Sequence, residues 1–388
     1  MPKLLVLADD FTGSLDTGVQ FAKAGISTRV LFSGIENRDI SAYSETVIVA
    51  DLESRHDTPD KAYEKVYRIS EKACAAGVKY FYKKTDSALR GNIGAELSAL
   101  LAAVKANVLE FVPAFPKNGR TTVNGVQFIS GVEVAKSVFA EDPFNPVTKS
   151  YIPDIIAQQS DTAVTLGKDL PCPFIRVHDA QSEEDLRKTA GKISGTTALA
   201  GCAGFAEYLP ELLGLAAEQK TEEKRSEKTK ILLVSGSVNA ITLEQIDEAA
   251  KEYKIFDLSD SDKTIAEYYA QKSCAVISSA DSANEPDFSA YSAEETEVLR
   301  KETAEIISAK TERLFNILCP DLLAIFGGDT LIQTVRKLGC KSITPLREIS
   351  SGTVLCKAQT DTREFLLVSK SGGFGGKNIV KEIMEFEY

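Results

Sequence analysis

Short apolar runs alternate with segments of helical period along nearly the whole chain, and this rhythm narrows the possible folds most. "KLLVLAD" reads as a strand buried on both faces. "SLDTGVQFAKAG" then sets Leu15, Val19 and Ala22 on one helical face and stops at Gly25. "TRVLF", "ETVIVAD", a helix over 59–75, "VKYFYK", a helix over 93–104 and "VLEFVPAF" continue the pattern. Such β-α-β alternation predicts a mainly parallel sheet with helices on its faces. It breaks after Phe115, where Asn124-Gly125 inside "TTVNGVQFISGVEV" predicts an antiparallel hairpin, and "EDPFNPVTKS" is too proline-rich for regular structure. It resumes with "PFIRVHDA", the helix "SEEDLRKTAGKI" and "TALAG".

Residues 217–230, "AEQKTEEKRSEKTK", carry no large apolar side chain and mark the best domain boundary. After them the pattern restarts with "KILLVSGS" and runs through "CAVISSA", a long helix over 293–318, "LLAIFGGD" and "FLLVSKSGGFGG". The expectation is therefore an α/β protein of two α/β domains with mainly parallel sheets, 1–222 and 231–388, joined by a charged linker at 223–230. A net charge of −11 argues against nucleic acid and anionic membrane as partners. No apolar run reaches the roughly 18 residues of a spanning helix, and "MPKLLVLADD" is unlike a signal peptide, so a cytoplasmic protein is expected. Seven scattered cysteines without a CxxC predict mostly buried free thiols. Only two histidines, His56 and His178, argue against a histidine-rich zinc site, so any metal would be a hard cation held by carboxylates and phosphates.

In open α/β sheets ligands bind beyond the carboxyl ends of the strands, so the residues following each strand carry the chemistry. In the first half these are Asp9-Asp10, Asp51, Lys83-Lys84-Thr85-Asp86 and Pro113-Ala114-Phe115. In the second they are Ser235-Gly236-Ser237, Ser278-Ser279, Gly327-Gly328-Asp329-Thr330 and Ser371-Gly372-Gly373-Phe374-Gly375-Gly376. The first set suits a small anionic substrate. Lys84 and Arg90 can hold a carboxylate, Asp86 can accept from hydroxyls or fix the cations, and Asp9 or Asp10 can take a proton or face a metal. The second set suits phosphates, because glycine turns aim backbone N–H groups at an anion in front of a helix N-terminus. "SGGFGGKN" is not a Walker loop, since Ser371 and Asn378 stand where that pattern needs glycine and a hydroxyl residue. A polar anion site joined to a phosphate cradle points to phosphoryl transfer onto a small molecule.

These stretches also carry a resemblance. "LADDFTGSLDTG", "YKKTDSALRGNIGAEL", "VPAFPKNGRTTVNGVQFISGVEV", "DPFNPVTKSYIP" and "GCAGFAEYL" resemble the N-terminal domain of the four-carbon acid sugar kinases. "LVSGSVNAITLEQI", "FGGDT" and "VSKSGGFGG" resemble their C-terminal nucleotide-binding domain. The likeness runs in order from Leu4 to about Gly376. It implies an ATP-dependent kinase, with Mg, acting on the C4 hydroxyl of a threonate, erythronate or 3-oxo-tetronate, with acid and ATP meeting in the cleft between the domains. Asp9, Asp10, Lys84, Asp86 and Arg90 would line the acid site; Ser235, Ser237, Gly327, Gly328, Asp329, Thr330, Gly372, Gly373 and Gly375 would contact ATP. The family often has Glu at Asp329, Thr at Ala88 and a serine near Asn239, departures that bear on fine geometry and substrate choice. The catalytic base is left open between Asp10, on the acid side, and Asp329, beside the phosphates. A non-catalytic sugar-acid sensor and a phospho-sugar-acid isomerase or aldolase are the rival readings. The oligomeric state is also open, a homodimer included.

Overall fold

A computed structural model describes residues 1–142, 144–217, 229–280 and 293–385, without the side chains of 293, 294 and 297. The chain divides into two compact units, Met1–Gln219 and Lys220–Tyr388. Of the charged segment 223–230 only 229 and 230 lie among the described residues. No helix among the described residues is long and apolar enough to cross a membrane.

The N-terminal unit begins with β1 (Leu4–Ala8), β2 (Thr28–Leu31), β3 (Val47–Asp51), β4 (Tyr80–Lys84) and β5 (Val108–Val112). A small antiparallel sheet follows, β6 (Arg120–Val123), β7 (Val126–Ile129) and β8 (Val132–Glu133). Then come β9 (Ala163–Thr165), β10 (Phe174–Val177) and β11 (Ala198–Gly201). The main sheet runs in the order β2-β3-β1-β4-β11-β5-β10-β9, parallel throughout. Strand β1 is fully buried because apolar side chains meet packed elements on both faces, including the helices Pro59–Ala75 and Ile93–Ala103 on one of them. Truncating a leucine there costs about 2–5 kcal/mol. The predicted hairpin is present: Asn124 and Gly125 both take positive φ, as a tight two-residue turn between β6 and β7 requires.

The C-terminal unit contributes β12 (Ile231–Ser235), β13 (Ile255–Phe256), β14 (Cys274–Ser278), β15 (Leu322–Phe326), β16 (Ser342–Ser350), β17 (Thr353–Gln359) and β18 (Glu364–Lys370). Their order is β13-β14-β12-β15-β18-β17-β16, parallel except that β17 is antiparallel to both neighbours. Neither β16 nor β17 forms a continuous apolar run. Pro345, Arg347 and Glu348 interrupt the first, and the second ends in Lys357 and Gln359, so a reading keyed to apolar runs passes over this half-exposed hairpin.

Each unit repeats one core arrangement, β2-β3-β1-β4 and β13-β14-β12-β15. The first strand of each core lies inside, its next strand is outermost on one side, and its fourth lies on the other side. Neighbouring strands β1 and β4, and likewise β12 and β15, therefore lead into connections that diverge. That divergence opens a crevice at their carboxyl ends.

The cysteine expectation needs correction. Only Cys202, Cys340 and Cys356 are buried, Cys274 is intermediate, and Cys74, Cys172 and Cys319 are exposed; none of the seven forms a disulfide. Cys74 lies in the last turn of the helix Pro59–Ala75, whose buried face is formed by Ala62, Val66, Ile69, Ser70 and Ala73 instead.

Candidate active site

At the carboxyl ends of β1 and β4, paired through Ala8 and Lys84, the structure brings together all five charged residues expected there. Asp9, Lys84 and Asp86 are buried; Asp10 and Arg90 are partly exposed. The residue that organises them is one the sequence did not single out. Arg55 donates through Nε to Asp9 Oδ2 at 2.7 Å and through Nη2 to Asp10 Oδ1 at 2.6 Å, with Asp86 Oδ1 at 3.6 Å. Beyond it Arg90 donates to Asp86 as a two-pronged fork, Nε and Nη2 each at 2.9 Å, while its Nη1 reaches Asp142 at 3.0 Å. The carboxylate gripped by Arg90's fork is thus the chain's own.

Burial alone would raise the Asp9 carboxyl, but Arg55, Lys84 and Lys83 together hold it well below the usual carboxylate range. Asp86 behaves alike: Arg90 and Arg55 outweigh its desolvation. Lys84 is raised, its burial overcome by Asp9 and Asp10. Its ammonium stands 3.7 and 3.8 Å from those carboxylates, within ion-pair range but beyond direct hydrogen bonds. Asp9 Oδ1 is buried without a hydrogen-bond partner among the described residues. Gly13, in the first turn of the helix Phe11–Lys23, lets these groups approach. A Cβ there would lie 2.3 Å from Asp10 Oδ1 and 2.5 Å from Lys84 Nζ.

A second buried layer supports Arg55. The amides of Ser54 and Arg55 both donate to the Asp9 carbonyl, and Asn92 Nδ2 donates to the carbonyls of Ser54 and Asp57. The Ser54 hydroxyl meets Glu96, which pairs with fully buried Lys83 at 3.1 Å. Burial keeps the Glu96 carboxyl above its usual range despite Lys83. Of the two adjacent lysines, therefore, Lys83 faces the support and Lys84 the site, as successive strand residues must.

In the C-terminal unit three of the glycine turns converge. A Cβ on Gly236 would strike Thr330 Oγ1 at 2.0 Å, one on Gly327 would approach the Ser237 amide at 3.3 Å, and one on Gly372 would lie 2.8 Å from Ser237 Oγ. Ser235 and Thr330 are buried beneath these turns, Ser235 Oγ without a hydrogen-bond partner among the described residues. Gly328 opens the helix Gly328–Lys337, which starts two residues earlier than its apolar period suggests, so Asp329 and Thr330 lie in its first turn. Asp329 is half-exposed and accepts from Arg300 Nη1 at 2.9 and 3.0 Å. In the last turn, the amides of Gly372, Gly373, Gly375, Gly376 and Lys377 have no acceptor among the described residues. That makes a row of donors suited to phosphate oxygens.

The family model of a sugar-binding N-terminal domain matches residues 4–170, and that of a nucleotide-binding C-terminal domain matches residues 232–380. A D-threonate kinase of Salmonella typhimurium is 32% identical over 71% of this chain and 69% of its own length. A 3-oxo-tetronate kinase of Actinobacillus succinogenes is 24% identical over 99% of this chain and 98% of its own. The crystal structure of Haemophilus influenzae protein HI1011, a DUF1537 family member, superposes with a TM-score of 0.73 at 20% identity, covering 97% of this chain and 98% of that one, a likeness of fold. With both family domains present in order along the sequence, the chain belongs to the four-carbon acid sugar kinase family.

Proposed function

We propose that this protein transfers the terminal phosphoryl group of ATP to the C4 hydroxyl of a four-carbon sugar acid, a threonate, erythronate or 3-oxo-tetronate. Residues 1–222 would take the acid and 231–388 the nucleotide, with 223–230 as the link. The observation that carries this reading is the order of charges at the ends of β1 and β4: Asp10, then Arg55 and Asp86, then Arg90. A carboxylate at one end and a cation at the other match the polarity of a hydroxy acid bound along its length.

In this reading Arg90, held flat by Asp86, meets the acid's carboxylate with the edge that now donates to Asp142. Asp10 accepts the proton of the C4 hydroxyl as its oxygen attacks the terminal phosphorus and ADP leaves. Lys84, 3.8 Å from Asp10, faces the negative charge carried by the attacking oxygen and the phosphoryl group in transfer. The amides of Gly372, Gly373, Gly375, Gly376 and Lys377, together with the start of the helix Gly328–Lys337, receive the nucleotide phosphates. Ser237 sits between those two turns. Mg would be carried mainly by the phosphates, with one or two carboxylates. The half-exposed Asp329 would supply that carboxylate. Bound Mg would neutralise the β- and γ-phosphates during transfer.

The test is ADP release with Mg-ATP across D- and L-threonate, D- and L-erythronate, their 3-oxo relatives and D-glycerate, with EDTA as control. Turnover with one of the four-carbon acids, abolished by EDTA, is the expected result. Acid binding without turnover in the presence of bound nucleotide would favour a sensor. Conversion of a phospho-sugar acid without nucleotide would favour an isomerase or aldolase.

A further inference from the structure

We propose that Lys370, Thr242 and Gln245 form a clamp that sets the phosphate-binding conformation of the 371–376 turn, with Lys370 as its principal positioning residue. The inference rests on the nucleotide reading given above.

Lys370 is the last residue of β18, and its side chain is fully buried under the turn that follows. Its ammonium donates to Thr242 Oγ1 at 3.0 Å and to the carbonyls of Ser371 and Gly372 at 3.2 and 3.3 Å. Thr242 Oγ1 donates in turn to the Gly372 carbonyl at 2.7 Å. Gln245 Nε2 faces the carbonyls of Phe374, Gly375 and Gly376 at 3.1, 3.0 and 3.0 Å. Five successive or near-successive carbonyls of one short turn are therefore directed inward to three side chains.

A trans peptide points its N–H opposite to its C=O. Fixing the carbonyls of 371, 372, 374, 375 and 376 inward consequently directs the amides of Gly372, Gly373, Gly375, Gly376 and Lys377 outward. Those are the five amides without an acceptor among the described residues. Gly375, at φ 86°, supplies a backbone conformation that other residues rarely adopt, which lets consecutive peptides share this orientation. A turn of unconstrained glycines would sample many orientations and lose that freedom on each binding event; the clamp removes much of this cost beforehand. Among the described residues no carboxylate pairs with the Lys370 ammonium. Its surroundings are the Thr242 hydroxyl, the turn carbonyls, Gln245 and the Phe326 ring at 4.9 Å. In its protonated form Lys370, with no carboxylate partner among the described residues and directly behind a row of outward amides, adds positive potential where an anion would sit.

The experiment measures Mg-ATP and inorganic pyrophosphate affinity by titration calorimetry for wild type, Lys370→Met and Gln245→Leu. Steady-state KM for the sugar acid is measured alongside, and circular dichroism melts verify folding. Both variants are expected to bind Mg-ATP and pyrophosphate roughly ten- to hundredfold more weakly. The KM for the acid should stay within about twofold, a split that general destabilisation would not produce. Folded variants binding both ligands as tightly as wild type would overturn the clamp; if Lys370→Met does not fold, Gln245→Leu decides by the same criterion. Wild-type binding of pyrophosphate that both variants weaken, without any acid-dependent ADP release, would support the clamp while removing the kinase reading. A wild-type protein binding neither ligand would overturn both.

Discussion

Replacing Gly13 with alanine should separate activity from stability in one atom group. The new Cβ would stand 2.3 Å from Asp10 Oδ1 and 2.5 Å from Lys84 Nζ, so each charged tip must retreat by about 1 Å to reach ordinary van der Waals separation. Asp10 Oδ1 is also the acceptor of Arg55 Nη2, so its retreat loosens that ion pair while the backbone stays in place. Gly13 lies within the helix Phe11–Lys23, where alanine is favoured over glycine by about 0.5–1 kcal/mol. The helix gain offsets the loosened contact, so the melting temperature should stay within a few degrees of wild type. Catalysis has no such tolerance. Misplacing reacting groups by about 1 Å costs on the order of 100-fold in rate, or about 2.7 kcal/mol of transition-state stabilisation. Acid-dependent ADP release should show that loss in kcat/KM for the acid, while calorimetry finds Mg-ATP affinity unchanged. Wild-type turnover in the alanine variant would refute the placement of Asp10 and Lys84 at the reacting centre. A melting temperature lower by many degrees would instead attribute the loss to unfolding.

Asp10→Asn should lower kcat by roughly 10²–10⁴ with Mg-ATP binding intact, whereas Asp329→Asn should act mainly on the KM for Mg-ATP; the reverse pattern would transfer the base to Asp329. Arg55→Met leaves Asp9 buried beside one fewer cation and should destabilise the N-terminal unit by about 3 kcal/mol, read from denaturant melts, with no change meaning that Arg55 is dispensable to the charge network. Asp9 and Asp86 are held below the ordinary carboxylate range, so their contribution to stability is complete above about pH 5 and is lost as pH falls, because the unfolded chain takes up protons first. Melts between neutral and acid pH should show that decline, shallower in Arg55→Met; a flat wild-type profile would contradict it. Burial pulls the Lys370 ammonium down to about 7, so above that pH nucleotide phosphates should draw a proton onto it. Calorimetry of Mg-ATP binding near pH 8 in buffers of different ionisation enthalpy should reveal proton uptake that Lys370→Met abolishes, and equal enthalpies for wild type would rule it out.

The sequence alone determined which charged and glycine-rich residues follow the strands. Which residues follow each strand is a local matter, and continuous apolar runs such as "LLVLA" and "LLAIF" declare buried strands without reference to anything distant. Asp9, Asp10, Lys84, Asp86 and the glycine turns were legible for that reason, as was the Asn124-Gly125 hairpin. Strand order, register and the inward direction of a carbonyl depend on partners far along the chain, and only the tertiary structure decided them. Arg55 meets Asp9 across 46 positions, and Gln245 meets Gly375 across 130. Nothing local in "ESRHD" or "TLEQI" reveals either contact. Lys370 likewise follows an apolar strand as an exposed strand-end lysine would, and its full burial shows only when the turn has folded over it and Thr242 and Gln245 have closed from the neighbouring helix. A charge in such a place depends on desolvation and on donors and acceptors gathered from several segments, and the packed fold alone assembles those.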